Sequence, residues 1–185
     1  MGTAFIPVKN DISGNVRKVK TKYESAREKC KYVEDLVDYD LAHNGGKMAN
    51  ATEGLLWLKR GLEFMLELLS EMVRVYRSSM DKSKTDSLTG IINDAYNSTL
   101  KRHHGFVSKQ LFKVVILAAP TRSTILKALA EGREDADDIC INHIALHLDN
   151  FRTNVAHIVN YYVKKNLDTP NPYAKYFLLY SAGLV

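Results

Sequence analysis

The sequence predicts an all-α protein, on three observations. Apolar residues recur at helical spacing along almost the whole chain, and no segment alternates in the manner of a half-buried strand. Four prolines and ten glycines among 185 residues leave room for long helices with few breaks. The length suits one domain spanning residues 1–185, with a substantial core, and the expected form is two helical layers deep.

Each element follows from local signals. A first helix is expected over about Ile12–Tyr23, and a second over about Ser25–Ala42, stopped by Asn44-Gly45-Gly46. A long helix from Asn50 or Ala51 to Ser78 carries Arg60, Glu63, Glu67, Ser70, Glu71 and Arg74 in one narrow polar stripe. Leucines, Phe64 and methionines cover the rest, so this helix should be central and buried on more than one side. After a charged loop at 81–86, a helical stretch runs from Ser87 to Ala118 with a bend near Gly105, ended by Ala119-Pro120. Thr121 or Ser123 caps a short helix ending near Gly132. Acidic residues at 134–138 then suit the start of a helix over Asp135–Lys165. Thr169-Pro170-Asn171-Pro172 breaks it, and the aromatic, apolar tail Tyr173–Val185 is expected to dock on the body.

Composition narrows the function. Hydrophobic residues make up 45% and charged residues 25%, ordinary values for a globular chain, so neither disorder nor a fibrous class fits. The formal charge of +5 suits an anionic membrane surface, but no Arg/Lys run interleaves with aromatics, and nucleic acid is not an expected partner. The most apolar run, Val114–Ala119, is far too short to cross a bilayer. Cys30 and Cys140 read as isolated reduced thiols of a cytoplasmic protein, with a single disulfide as the alternative.

Asp11, Asn15 and Lys18 stand at i, i+4 and i+7, which places a carboxylate, an amide and an ammonium on one helix face. Such a face is either simply solvated or able to hold a polyhydroxylated head group, whose hydroxyls both give and take hydrogen bonds. Trp57, the single tryptophan, is either a core anchor or a flat platform for a sugar ring. Arg60, one turn on, is an ordinary surface or salt-bridged arginine, or a support at the mouth of a pocket. His104 lies on a face with Leu100, Phe112 and Ile116, either as a core histidine or as a neutral imidazole donating to a buried carbonyl. His143 and His147 have metal-ligand spacing, but no HExxH pattern and no third ligand accompany them. No nucleophile elbow, phosphate-cradling glycine loop or Cys–His pair appears, so no metal, cofactor or enzymatic activity is expected.

Asp11-Ile12-Ser13-Gly14-Asn15-Val16-Arg17-Lys18, followed by Trp57-Leu58-Lys59-Arg60-Gly61-Leu62, resembles the glycolipid transfer protein family. His104-Gly105, then Ala118-Ala119-Pro120 with Leu126-Lys127-Ala128-Leu129, fall at the family's spacing. The similarity extends from about Gly2 to Tyr162. It implies a two-layer helical sandwich enclosing an apolar pocket, a monomer that carries one glycosphingolipid and meets the membrane transiently. By family pattern, Asp11, Asn15 and Lys18 hold the first sugar and Trp57 stacks beneath it. Asp11 also accepts the ceramide N–H, and His104 donates to the amide carbonyl. Phe64, Leu100, Phe112 and Ile116 match pocket-lining positions, and Phe106 matches a membrane-contacting aromatic.

The sequence departs from that pattern in places. The family has a helix before the Asp-Ile-Ser-Gly-Asn motif, and only ten residues precede it here, so either the chain begins late or the pocket lacks one wall. Glu53 and His147 stand where apolar and aromatic residues are usual, and residues 167–185 do not align. The runner-up cargo is ceramide-1-phosphate, whose branch needs an arginine where Trp57 stands, because phosphate calls for charge-assisted bonds. A helical scaffold that binds protein partners under lipid control is a third reading.

Overall fold

The computed structural model describes residues 3–172. Over these residues the chain forms seven α-helices, four short 3-10 turns and no strand, so the all-α expectation holds. The helices are α1 (Ile6–Ser25), α2 (Val33–Ala42), α3 (Asn50–Ser78), α4 (Thr89–Ser98), α5 (Phe106–Leu117), α6 (Arg122–Leu129) and α7 (Asp137–Lys164). The expected docking of Tyr173–Val185 lies outside the described residues.

The long helices and several stops match expectation. Gly45 and Gly46 both adopt positive φ, and the Gly46 amide donates to the Leu41 carbonyl 2.9 Å away, closing the end of α2. The Thr121 hydroxyl accepts from the Thr124 amide and opens α6. Three boundaries differ. α1 begins at Ile6, six residues earlier than expected, because Pro7 in its first turn has no N–H to leave unsatisfied. The second expected helix is interrupted: a 3-10 turn at Arg27–Lys29 follows α1, and α2 starts only at Val33. There the Asp35 carboxylate accepts from the Lys31 and Tyr32 amides, at 3.0 and 2.8 Å. The turn buries Ala26 and Cys30 against Leu36. The 87–118 stretch is broken at Thr99, whose hydroxyl bonds back to the Ala95 carbonyl at 2.6 Å. A 3-10 turn at Lys101–His103 and the extended Gly105 then lead into α5. On α3, Glu63 of the expected polar stripe is buried, whereas Leu62 and Met65 reach the surface.

The chain packs as two compact units, and α3 and α7 contribute residues to both. The first unit holds residues 3–62 and 157–171. Its core is Val37, Leu55, Leu56 and Tyr162, flanked by Val19, Leu41, Ile158, Tyr161 and Leu167. The Tyr162 hydroxyl donates to the Thr52 carbonyl at 2.9 Å. Asp40 of α2 is buried and accepts from the Thr52 amide and hydroxyl and from Lys22, so a carboxylate sits at the positive end of α3. Burial works to raise the Asp40 pKa, and the bonds from Thr52 and Lys22 overcome it and hold it below its ordinary value.

The second unit holds residues 63–156. Leu66, Met72, Val73, Leu88, Tyr96, Val115, Leu126, Ile141 and Val155 are buried in it. Arg122, also buried, ties its elements together: it pairs with Asp137, donates to the Lys82 carbonyl, and lies 4.7 Å from the centroid of the Tyr76 ring. Tyr76 in turn donates to Asp138 at 2.8 Å.

Candidate functional site

In the first unit, α1 lies against α3 at Gly54. A Cβ at that position would be 3.0 Å from the Asn15 carbonyl oxygen and 3.2 Å from the Lys18 Cβ, so the glycine lets the two backbones come close without pressing on either. This brings the polar face of α1 beside the turn of α3 that precedes Trp57. Asn15 is buried and its amide reaches the Asp11 carboxylate at 3.4 Å, while Asp11 itself is exposed. The Lys18 ammonium is 3.5 Å from Glu53, one turn before Trp57. Glu53, noted above as an odd acidic residue, is thus the counter-ion of a predicted head-group ligand.

Trp57 is half-buried, and the Arg60 guanidinium lies over its ring, 4.8 Å from the centroid. Of the readings open for Arg60, the salt-bridged one is met. Its Nη2 and Nε donate to the two oxygens of Asp168, at 2.9 and 3.3 Å. Lys59 is 2% exposed and donates to the same carboxylate at 2.8 Å. Burial alone would raise the Asp168 pKa; the bonds and charges of Arg60 and Lys59 reverse this and hold it well below the usual carboxylate range. Three cations, Lys18, Lys59 and Arg60, therefore share this region with three carboxylates, Asp11, Glu53 and Asp168. Sequence reasoning missed Asp168 and Gly54. A glycine inside a leucine-rich helix was the available signal for a close backbone approach. Nothing local marks Asp168.

The second unit holds His104 and the predicted chain-pocket residues. The His104 Nδ1 and the Tyr96 hydroxyl are 3.1 Å apart. The Tyr96 ring stacks on Phe112, with centroids 3.5 Å apart and planes 10° from parallel, and Phe112 meets Phe64 edge-on at 6.2 Å. Leu100 is half-buried and Ile116 buried in the same unit. Tyr96 was also missed, although Tyr96, Leu100 and His104 stand four residues apart, the spacing of one helix face. Burial pushes the Tyr96 phenol up. At the start of α5, Phe106 is 77% exposed, followed by the equally open Val107.

Among the described residues, no three His, Cys, Asp or Glu side chains converge as a metal site would require, and no helix is long and apolar enough to cross a membrane. Cys30 and Cys140 both carry free thiols. On the outer flank of α1, Ile12 and Val16 are exposed beside an open apolar groove lined by Val19, Tyr23, Tyr32, Val33 and Leu58.

The family profile described as glycolipid transfer protein matches residues 1–131. The chain belongs to the glycolipid transfer protein family. It is 34% identical over 171 residues to the glycolipid transfer protein of Danio rerio, covering 91% of this chain and 80% of that protein. Among solved structures it superposes on the glycolipid-transfer fold of FAPP2, which selects simple glycosphingolipids, with a TM-score of 0.75 and 30% identity. That match covers 90% of this chain and 78% of the other. The mouse ceramide-1-phosphate transfer protein gives the same TM-score at 19% identity, over 92% and 82% of the two chains, a likeness of fold. The all-α glycolipid transfer protein fold is therefore that of this chain. Asp168 lies beyond the stretch matched by the glycolipid transfer protein profile.

Proposed function

We propose that this protein carries a glycosphingolipid between membranes without a vesicle, holding one sugar–ceramide at a time. The supporting observation is the approach of α1 to α3 at Gly54, which sets Asp11, Asn15 and Lys18 beside the turn that leads to Trp57. A carboxylate, a buried amide and an ammonium next to an aromatic plane offer both halves of sugar recognition. Hydroxyls are met by donors and acceptors, and the C–H face of the ring is met by the indole. The local cations are matched by carboxylates, which suits an uncharged head group.

His104 is read as the donor to the ceramide carbonyl. A Tyr96 hydroxyl donating to Nδ1 leaves the imidazole proton on Nε2, the tautomer that can donate onward. Phe64, Leu100, Phe112 and Ile116 are read as lining for the hydrocarbon chains, and the exposed Phe106 as a contact to the membrane surface. Each CH₂ exposed to water costs about 0.8 kcal/mol, so a two-chain lipid leaves a bilayer at useful rates only into a comparably apolar host. The free thiols suit a cytoplasmic protein.

The single tryptophan makes the head-group reading directly measurable. Titrating the protein with a monohexosylceramide should change the intensity and wavelength of Trp57 emission saturably, whereas phosphatidylcholine should not. A response to neither lipid, or an equal response to both, rejects the stacking role.

A further inference from the structure

We propose that Asp168 sets the charge preference of the head-group site, by withholding from the ligand the guanidinium that a phosphorylated ceramide would need. The inference rests on the reading of Trp57 and the α1 face as a lipid head-group site. It goes further by naming a residue that decides between two classes of cargo.

The last turns of α7 place Asp168 firmly. Asn166 adopts a positive φ of 57°, the Leu167 amide donates to the Tyr162 carbonyl at 2.9 Å, and Leu167 packs against the core of the first unit. Tyr162 is itself anchored to the Thr52 carbonyl at the start of α3. The chain end of α7 is thereby fixed to α3, and the carboxylate, 3% exposed, arrives beside Lys59 and Arg60. It accepts four hydrogen bonds: one from Lys59, two from Arg60 and one from the Thr169 amide at 3.0 Å.

The chemistry of the two cargoes separates at this point. A sugar asks Trp57 for a flat face and needs no net charge. A phosphate monoester carries about −1.5 to −2 charges at neutral pH and is best held by the two-pronged fork of an arginine. Arg60 lies over the Trp57 ring, 4.8 Å from its centroid, and is 12% exposed, so it is a cation set against that ring. Its fork is already engaged by Asp168. An incoming phosphate would have to compete with a carboxylate that is desolvated, doubly bonded to the guanidinium and of the same sign as itself.

Two variants of the full chain test this. Asp168→Asn removes the charge and keeps the shape, but it also takes the Asp168 carboxylate from the buried Lys59. Lys59→Met with Asp168→Asn removes both charges together and is the variant to use if the single one does not fold. Transfer between vesicles is measured for glucosylceramide and for ceramide-1-phosphate, with circular dichroism as a check of folding. The folded variants should raise the ratio of ceramide-1-phosphate to glucosylceramide transfer on the order of tenfold or more, the scale of a charge-assisted hydrogen bond. Added Arg60→Gln should abolish that gain, and so should high salt. An unchanged ratio in a folded variant, or a gain that survives Arg60→Gln, overturns the role of Asp168. A wild-type protein inert towards glucosylceramide overturns the head-group reading itself, and with it this assignment.

Discussion

Gly54 and the Asn15 carbonyl oxygen are so close that a methyl group on Gly54 would stand 3.0 Å from that oxygen. The contact sets the distance between the two helices that carry the proposed sugar ligands. Replacing Gly54 with Ala gains about 1 kcal/mol of helix propensity, roughly offsetting a mild clash. Gly54→Val cannot be absorbed in this way and should destabilise the protein by about 1–3 kcal/mol. Because α1 must move, Gly54→Val should weaken hexosylceramide binding several-fold. Thermal melts and Trp57 fluorescence titrations of the two variants check this; equal ligand affinity in Gly54→Val and wild type would show that the packing does not shape the site.

Trp57→Ala should abolish monohexosylceramide transfer and leave the helical circular dichroism largely intact. The half-buried ring contributes to packing and to the contact with Arg60, so a modest fall in melting temperature is also expected. Unchanged transfer in this variant rules out stacking.

Tyr96→Phe keeps the ring on Phe112 and removes only the hydroxyl facing His104. Stability should fall by about 1 kcal/mol, the usual worth of a buried hydrogen bond. Transfer should fall several-fold, because the imidazole then loses a hydrogen-bond partner that helps to orient it. Tyr96→Leu, which also loses the stack, should cost distinctly more stability. If Tyr96→Phe transfers lipid at the wild-type rate, His104 does not depend on Tyr96.

Asp168 and Asp40 both have folded-state pKa values below their ordinary ones. Such carboxylates contribute stability that is fully present above the unfolded value of about 4 and is lost as the pH falls from there towards the folded values. Denaturant midpoints should therefore be flat between about pH 6 and 8 and fall steeply below pH 4. The Lys59→Met, Asp168→Asn double variant should show a shallower acid limb. An acid limb identical to wild type would mean that Asp168 contributes nothing to pH-dependent stability.

Phe106→Asp should reduce the rate of transfer and the binding to lipid vesicles several-fold without changing the melting temperature, because the ring is exposed and holds no core. A vesicle flotation assay alongside the melt decides this; loss of stability with unchanged flotation would assign Phe106 to packing instead.

How far the sequence revealed the site depends on the range of each interaction. The polar face of α1, the leucine-rich α3 and the Gly45-Gly46 stop are written within one or two helical turns, where spacing and backbone preference act directly. So is the Thr121 cap. The end of α1 near Ser25 was legible, but the late start of α2 at Val33 was not, because neither proline nor glycine marks the intervening turn, whose flanking Ala26 and Cys30 are buried against Leu36. Asp168 was not legible for a related reason. Its partners stand 108 and 109 residues earlier, and no helical period links positions so far apart. Tyr96 and Gly54 lay between these cases: each carried a local signal whose meaning depended on which helix came to lie beside it.

The most direct test of the central claim is vesicle-to-vesicle transfer by the wild-type protein with three labelled cargoes: a monohexosylceramide, ceramide-1-phosphate and phosphatidylcholine. The account predicts rapid transfer of the monohexosylceramide, little of ceramide-1-phosphate and none of phosphatidylcholine. Preferential transfer of ceramide-1-phosphate, or transfer of none of the three, would contradict it.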